Sequence, residues 1–204
     1  MKKTIVSFVL SMMFPLALFA DGYTSLWKQF DEADSKDLPK TQIKILNKII
    51  AQAKADKSYG NLLKAEFDKV VLASDISDEM FQSELSALKK AAGEASAIDP
   101  ALAAVYNCAL GRGYALSAKS SRKSNIKKLS REYFDKALAD PEMLASKKAL
   151  DYAPFVCEGV DSEIFGNDLL SLIGYYSERY ALLHDYYNKA GNRRASLVTA
   201  LWML

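Results

Sequence analysis

His184 is the only histidine in this chain of 204 residues, so it is the first candidate for a general base. Asp185 follows it directly, but adjacent residues of a helix do not face each other, so the two side chains are poorly placed to form an acid–base dyad. No Gly-x-Ser-x-Gly motif is present to supply a serine nucleophile. A single histidine also excludes a histidine-rich metal site within this chain. The sequence therefore predicts a packed or hydrogen-bonded structural histidine, no catalytic residue, no metal site and no cofactor.

Cys108 and Cys157 are the only cysteines. A disulfide between them would close a long loop and stabilise the fold by about 3–4 kcal/mol. Both lie among apolar or aromatic neighbours, which favours the alternative of two small buried side chains. The nearby Gly111-Arg112-Gly113 string lacks the further glycine, lysine and preceding strand of a phosphate loop. The two glycines instead predict a close contact between helices.

Three other groups of residues have both a functional and a structural interpretation. The acidic residues Glu66, Asp68 and Glu84 are interpreted as helix-surface charges rather than as hydrolytic carboxylates. The aromatic residues of segment 152–187 would suit a sugar or peptide groove, but tyrosines at helical spacing more often lie at the edge of a core. A basic cluster would suit anionic headgroups or an acidic partner, yet a solvated loop and helix start is the simpler interpretation. The cluster comprises Lys119, Arg122, Lys123, Lys127, Lys128 and Arg131.

Residues 1–20 have the three regions of a secretory signal peptide, with cleavage expected between Ala20 and Asp21. Lys2 and Lys3 form the basic region, and removing them from 27 basic residues leaves 25, equal to the number of acidic residues. A neutral mature chain is not expected to bind nucleic acid. No later apolar run is long enough to span a membrane. The expected location is the periplasm or cell envelope of a Gram-negative bacterium.

Helical periodicity dominates residues 21–204 and predicts an all-α domain. Apolar residues recur at three- and four-residue steps, as in Ile43, Leu46, Ile49 and Ile50. Residues 148–204 are interpreted as helix, tight turn and helix, and the Ser/Lys-rich segment 117–124 as a mobile loop with a domain sub-boundary near 117–125. Residues 133–141 are similar to the second helix of a tetratricopeptide repeat. The predicted architecture is a set of stacked antiparallel helical hairpins that form a right-handed, tetratricopeptide-like solenoid.

Four stretches, residues 23–27, 37–41, 59–65 and 152–204, resemble the N-terminal helical region of large bacterial alpha-2-macroglobulin-like proteins. The resemblance implies export to the cell envelope and a part in trapping or inhibiting foreign proteases. Members with a thioester carry Cys-Gly-Glu-Gln, whereas Cys157 precedes Glu-Gly-Val and Cys108 precedes Ala-Leu-Gly here. Inhibition would therefore lie in domains downstream of Leu204, and the helical domain is expected to be truncated there.

The functional expectation is a non-catalytic, exported helical scaffold that packs against the downstream domains of the same polypeptide or against an envelope protein. Proteases would be bound by the full-length protein and not by this region alone. The alternative is a free-standing, tetratricopeptide-like periplasmic adaptor that binds a protein or peptide in a helical groove. An enzyme is the least favoured alternative, and a perturbed pair of acidic residues in a deep cleft would be its signature.

Overall fold

The computed structural model describes residues 17–120, 124–157, 159 and 161–204. The fold is all-α, as predicted, and no β-strand occurs in this part of the chain. Its ten helices are α1 (Ala17–Asp34), α2 (Pro39–Asp56), α3 (Tyr59–Ile76), α4 (Asp78–Ala95), α5 (Pro100–Ser120), α6 (Ser124–Ala137), α7 (Pro141–Ala145), α8 (Leu169–Tyr176), α9 (Tyr180–Lys189) and α10 (Arg193–Leu201). They pack mainly as antiparallel sequence neighbours.

Short polar connections define the helix boundaries. Pro39 opens α2, where the missing N–H and the fixed φ of proline fit the first helical turn. Ser77 accepts a hydrogen bond from the Met80 N–H and so caps α4. Asn192 caps α10 in the same way through the Ala195 N–H. The residues that begin these three helices therefore act through local contacts.

Helix α3 separates two hydrophobic cores. Leu62 and Ala65 face a smaller core shared with α1 and α2. Leu63, Val70 and Ala73 face the larger core, which continues through α4, α5 and the C-terminal helices. Because its two faces enter different cores, α3 joins the N-terminal helices to the rest of the molecule.

Helix α5 approaches α6 closely at Gly111 and α4 at Gly113, as the Gly111-Arg112-Gly113 string predicted. A Cβ at Gly111 would lie 2.6 Å from the Phe134 ring, and one at Gly113 would lie 2.8 Å from Leu85. The buried Ser130 hydroxyl donates to the Gly111 carbonyl at 2.7 Å. The two glycines thus serve helix packing.

Two segments differ from the sequence prediction. Helix α5 continues to Ser120, so the first half of the predicted loop at 117–124 is helical, and residues 121–123 lie outside the described part of the chain. Residues 148–168 are not a tight turn, because two 3₁₀ helices, Ala149–Tyr152 and Ser162–Phe165, lie between α7 and α8. Polar backbone pairing replaces a regular helix there, since the Ala149 N–H donates to the Asn167 carbonyl at 3.0 Å.

Gly60 provides a test of how segment 148–168 is held against α3. A Cβ at Gly60 would lie 1.9 Å from the Ala153 carbonyl oxygen, so Gly60→Ala is expected to lower the free energy of unfolding by about 3 kcal/mol. Gly93, in α4, meets nothing within 4 Å, and Gly93→Ala is expected to stabilise by about 0.5–1 kcal/mol. Urea denaturation of both variants measures the difference. Equal effects would show that the contact at Gly60 does not constrain the fold.

Candidate binding region

The C-terminal helices contain an aromatic cluster centred on Trp202. The Trp202 ring stacks on Phe165 with centroids 5.3 Å apart, and it meets Tyr175 and Tyr180 edge-on at 5.1 and 5.7 Å. Phe165 is buried, whereas Tyr175 is 48% exposed. Phe165 therefore belongs to the core, while Tyr175, one of the tyrosines expected at the core edge, is about half exposed to solvent.

Asp168 connects three elements of this region. Its side chain is buried and caps α8 by accepting the Ser171 N–H at 2.8 Å. The Tyr187 hydroxyl of α9 donates to both carboxylate oxygens, at 2.7 and 2.9 Å. Burial raises the pKa of Asp168, against the hydrogen bonds from Ser171 and Tyr187 and the positive charge of Lys148. A carboxylate in this position is therefore held by neutral donors at an electrostatic cost.

A cavity of about 220 Å³ lies beside Asp168. Asn167, Asp168, Phe165, Tyr175 and Trp202 all contribute to its lining. Among the side chains that the structure describes, Asn167 Oδ1 is the one buried polar atom without a hydrogen-bond partner. The cavity thus combines aromatic walls with hydrogen-bond acceptors, a combination typical of small-ligand sites.

Helix α10 exposes two large apolar side chains on its outer side. Its inner face buries Ser196 and Thr199, whose polar groups are satisfied by hydrogen bonds such as Thr199 Oγ1 to the Ala195 carbonyl at 3.0 Å. On the opposite side, Leu197 and Leu201 are 67% and 65% exposed. We call the side formed by Leu197 and Leu201 the α10 outer face. Two exposed leucines at a four-residue spacing form an apolar surface suited to contact with another helix.

His184 has the structural role predicted for it. Its Nδ1 lies 2.9 Å from the Ser196 carbonyl oxygen, to which the ring N–H donates, and 3.2 Å from the Ser196 hydroxyl. Asp185 is exposed and is not part of this arrangement. His184 therefore ties α9 to α10.

The two cysteines are free thiols in the structure. Cys108 is buried and Cys157 is exposed, so the prediction of two buried side chains is correct only for Cys108. Burial raises the pKa of the Cys108 thiol to about 12, which makes the nucleophilic thiolate scarce at neutral pH. Both residues line a groove of about 350 Å³ between α3, α5 and α8.

The acidic residues of α3 are more enclosed than the sequence predicted. The Glu66 side chain is 13% exposed, pairs with Lys54 at 3.3 Å and accepts the Tyr106 hydroxyl at 2.9 Å. Asp68 pairs with Lys64 at 2.6 Å. Burial raises the pKa of both carboxyl groups. The two carboxyl groups line separate cavities.

Only part of the basic cluster lies in the described region. Lys127, Lys128 and Arg131 are exposed on α6, and Lys128 pairs with Glu132 at 3.8 Å. Arg122 and Lys123 lie outside the described residues, as does the side chain of Lys119. The exposed positions of the three α6 residues fit the interpretation of a solvated helix face.

The remaining sequence predictions concern the N-terminus, metals and membranes. Residues 1–16 lie outside the described part of the chain, and Ala20 and Asp21 lie within α1, so cleavage between them stays a prediction. Across the described residues, no group of three or more His, Cys, Asp or Glu side chains is placed to hold a metal ion. None of the described helices has the length and apolar character needed to cross a membrane.

No protein-family model matches this chain, and no curated protein or solved structure matches it either. The chain is an all-helical domain for which no family is identified. The alpha-2-macroglobulin resemblance therefore depends on the short sequence stretches that suggested it.

Sequence reasoning missed Asn167 and Asp168 as site residues. The Asn-Asp-Leu-Leu string does contain a helix-capping signal, since Asp is a favoured N-cap residue. The donor from Tyr187 and the cavity wall from Trp202 come from elements 19 and 34 positions away, counted from Asp168. No spacing of nearby residues in the sequence indicates that these side chains meet at Asp168.

Asp168→Asn tests the electrostatic cost of the buried carboxylate. Because burial raises the pKa of Asp168 in the folded state, the protonated carboxyl at low pH favours the folded wild type. This contribution to stability is lost as the pH rises from the ordinary pKa of 3.8 through the folded-state pKa. Asparagine keeps the cap but does not ionise. The free energy of unfolding of Asp168→Asn, minus that of the wild type, is therefore expected to increase from about pH 3 to pH 7.

Asp140→Asn is the matched control for that experiment. Asp140 caps α7 by accepting the Met143 N–H at 3.0 Å, and its side chain is exposed. Denaturant titrations at several pH values give the comparison. A difference that is flat with pH for Asp168→Asn, or the same for both variants, would contradict the expected cost.

Proposed function

We propose that this chain is a non-catalytic helical scaffold that binds another protein through the α10 outer face. The observation that carries the proposal is the outward position of Leu197 and Leu201 on a helix whose buried side is made of small residues. An apolar helix face of this kind is stabilised when a second helix covers it. Stacked hairpins whose outer helix is apolar commonly pack against a following unit.

The N-terminal pattern and the resemblance support a narrower form of this proposal. The scaffold is exported to the periplasm or cell envelope, its hairpins stack as a right-handed, tetratricopeptide-like solenoid, and it serves as the helical front part of an alpha-2-macroglobulin-like protease trap. Its partner is then the downstream part of the same polypeptide. Proteases are met by the whole protein, and this region itself carries out no reaction.

A groove in the structure favours the adaptor as a second candidate function. The groove of about 350 Å³ has an apolar floor that includes Phe67, Val105 and Leu172. Lys64 and Asp68 lie on its lining, together with Arg112, which sits 5.1 Å from the centre of the Tyr176 ring. Charged groups beside an apolar floor are suited to holding a peptide segment.

Site-specific photo-crosslinking tests the docking surface. A photoreactive phenylalanine at position 197 or 201 of the native polypeptide, produced in its own cells, is expected to crosslink to one partner segment. Mass spectrometry of the crosslinked peptides identifies that segment, whether it belongs to the downstream part of the same polypeptide or to a separate protein. Position 98 is the matched control, because Ile98 is also an exposed apolar residue, 58% accessible, but lies away from α10. Leu197→Glu in the chain that carries the photoreactive residue at 201 should remove the crosslink. No crosslink at 197 and 201, or an equal crosslink at 98, would refute the α10 outer face as the docking surface.

The mass of the native polypeptide separates the two candidate functions. An antibody against residues 21–204 is expected to detect, in the cell envelope, a polypeptide several times larger than the 22.6 kDa of this chain. That outcome supports the front part of a protease trap. A band at or just below 22.6 kDa would reject the trap and leave the adaptor.

A further inference from the structure

The cavity beside Asp168 has walls that favour a cation. Phe165, Tyr175, Tyr176 and Trp202 line it, and the faces of aromatic rings carry negative charge density that attracts organic ammonium groups. Tyr175 and Tyr176 are 48% and 46% exposed, so the rings also form an accessible rim. These walls alone would suit many apolar ligands, and the polar groups of the cavity determine which of them is favoured.

Those polar groups lack a cationic partner. Asp168 is 6% exposed, and its described hydrogen bonds come from the neutral donors Ser171 and Tyr187. No described cation lies within ion-pair distance of Asp168, and the amine of Lys148, which acts on it from farther away, donates to the Gly166 carbonyl at 2.7 Å. A buried carboxylate without a paired cation is costly, and that cost falls when a cation binds.

Asn167 adds an acceptor that has no donor. Its backbone is fixed in the left-handed region at φ 56°, and its N–H donates to the Ser162 carbonyl at 2.8 Å. Oδ1 is buried and unpaired, as described above. A buried acceptor without a donor is costly, and a ligand that brings an N–H to this position relieves that cost.

We propose that this cavity binds a small primary amine that carries an apolar group. The ammonium lies near Asp168 and donates to Asn167 Oδ1, while the apolar group lies against the aromatic wall that Trp202 and Tyr175 form together. The volume of about 220 Å³ suits a single ring or a short alkyl chain. This site is separate from the α10 outer face, and it does not depend on the proposed function.

Titration of the full chain with benzylamine and with butylamine tests the site. Trp202 and Trp27 are the only tryptophans, so ¹⁵N-labelled protein gives two indole signals, which Trp27→Phe assigns. The amines are expected to shift the Trp202 signal and leave that of Trp27 in place. Benzyl alcohol, which is neutral and of the same shape as benzylamine, should bind at least about tenfold more weakly.

Two variants identify the groups that hold the amine. Asp168→Asn keeps the helix cap and removes the charge, and Asn167→Gly keeps the positive φ and removes Oδ1; each should weaken benzylamine binding about tenfold. Asp140→Asn is the matched control and should leave it unchanged. Thermal unfolding verifies that each variant is folded.

Several results would overturn the proposal. It fails if neither amine shifts the Trp202 signal up to about 10 mM, or if benzyl alcohol binds as tightly as benzylamine. It also fails if folded Asp168→Asn binds benzylamine as the wild type does.

Discussion

The C-terminal half of the fold depends on one buried carboxylate, that of Asp168. It begins α8 by capping the first turn and receives the Tyr187 hydroxyl from α9. Its backbone pairs with Lys148 across the only isolated bridge of the described chain, which fixes the irregular segment 148–168 against α8. Because Asp168 serves three elements at once, two through its carboxylate and one through its backbone, its place in the interior is retained although burial opposes its charge. The aromatic cluster and the cavity are built around that arrangement.

Local signals account for most of the helical architecture. Pro39 and the cap at Ser77 mark helix starts, and the apolar stripe of α2 is buried at Leu46 and Ile49, as its periodicity indicates. The segment 148–168 was misinterpreted because its order comes from distant partners. Gly60, which lies about ninety positions earlier, packs so closely against the Ala153 backbone that a side chain would not fit there. No sequence spacing encodes such a contact.

The candidate site was predictable only in part. The structural role of His184 follows from its lack of chemical partners, and the aromatic density of segment 152–187 indicated either a groove or the edge of a core. Residue spacing could not decide which of these aromatic side chains are buried and which are exposed, because that depends on the packing of Trp202 against Phe165. The sequence alone does not show whether Leu197 and Leu201 are buried or exposed. The structure shows that small residues occupy the buried side of α10 and that the two leucines face outward.

The position of α3 between two hydrophobic cores affects how parts of the protein can unfold locally. Helices α1 and α2 are held by a core of their own, to which α3 contributes only one face through Leu62 and Ala65. Such an arrangement divides the protein into cooperative units of unequal size, and the smaller one can open while the larger remains closed. The backbone amides of α2 would then exchange with solvent through partial openings, whereas those of α5 would exchange only when the whole domain unfolds.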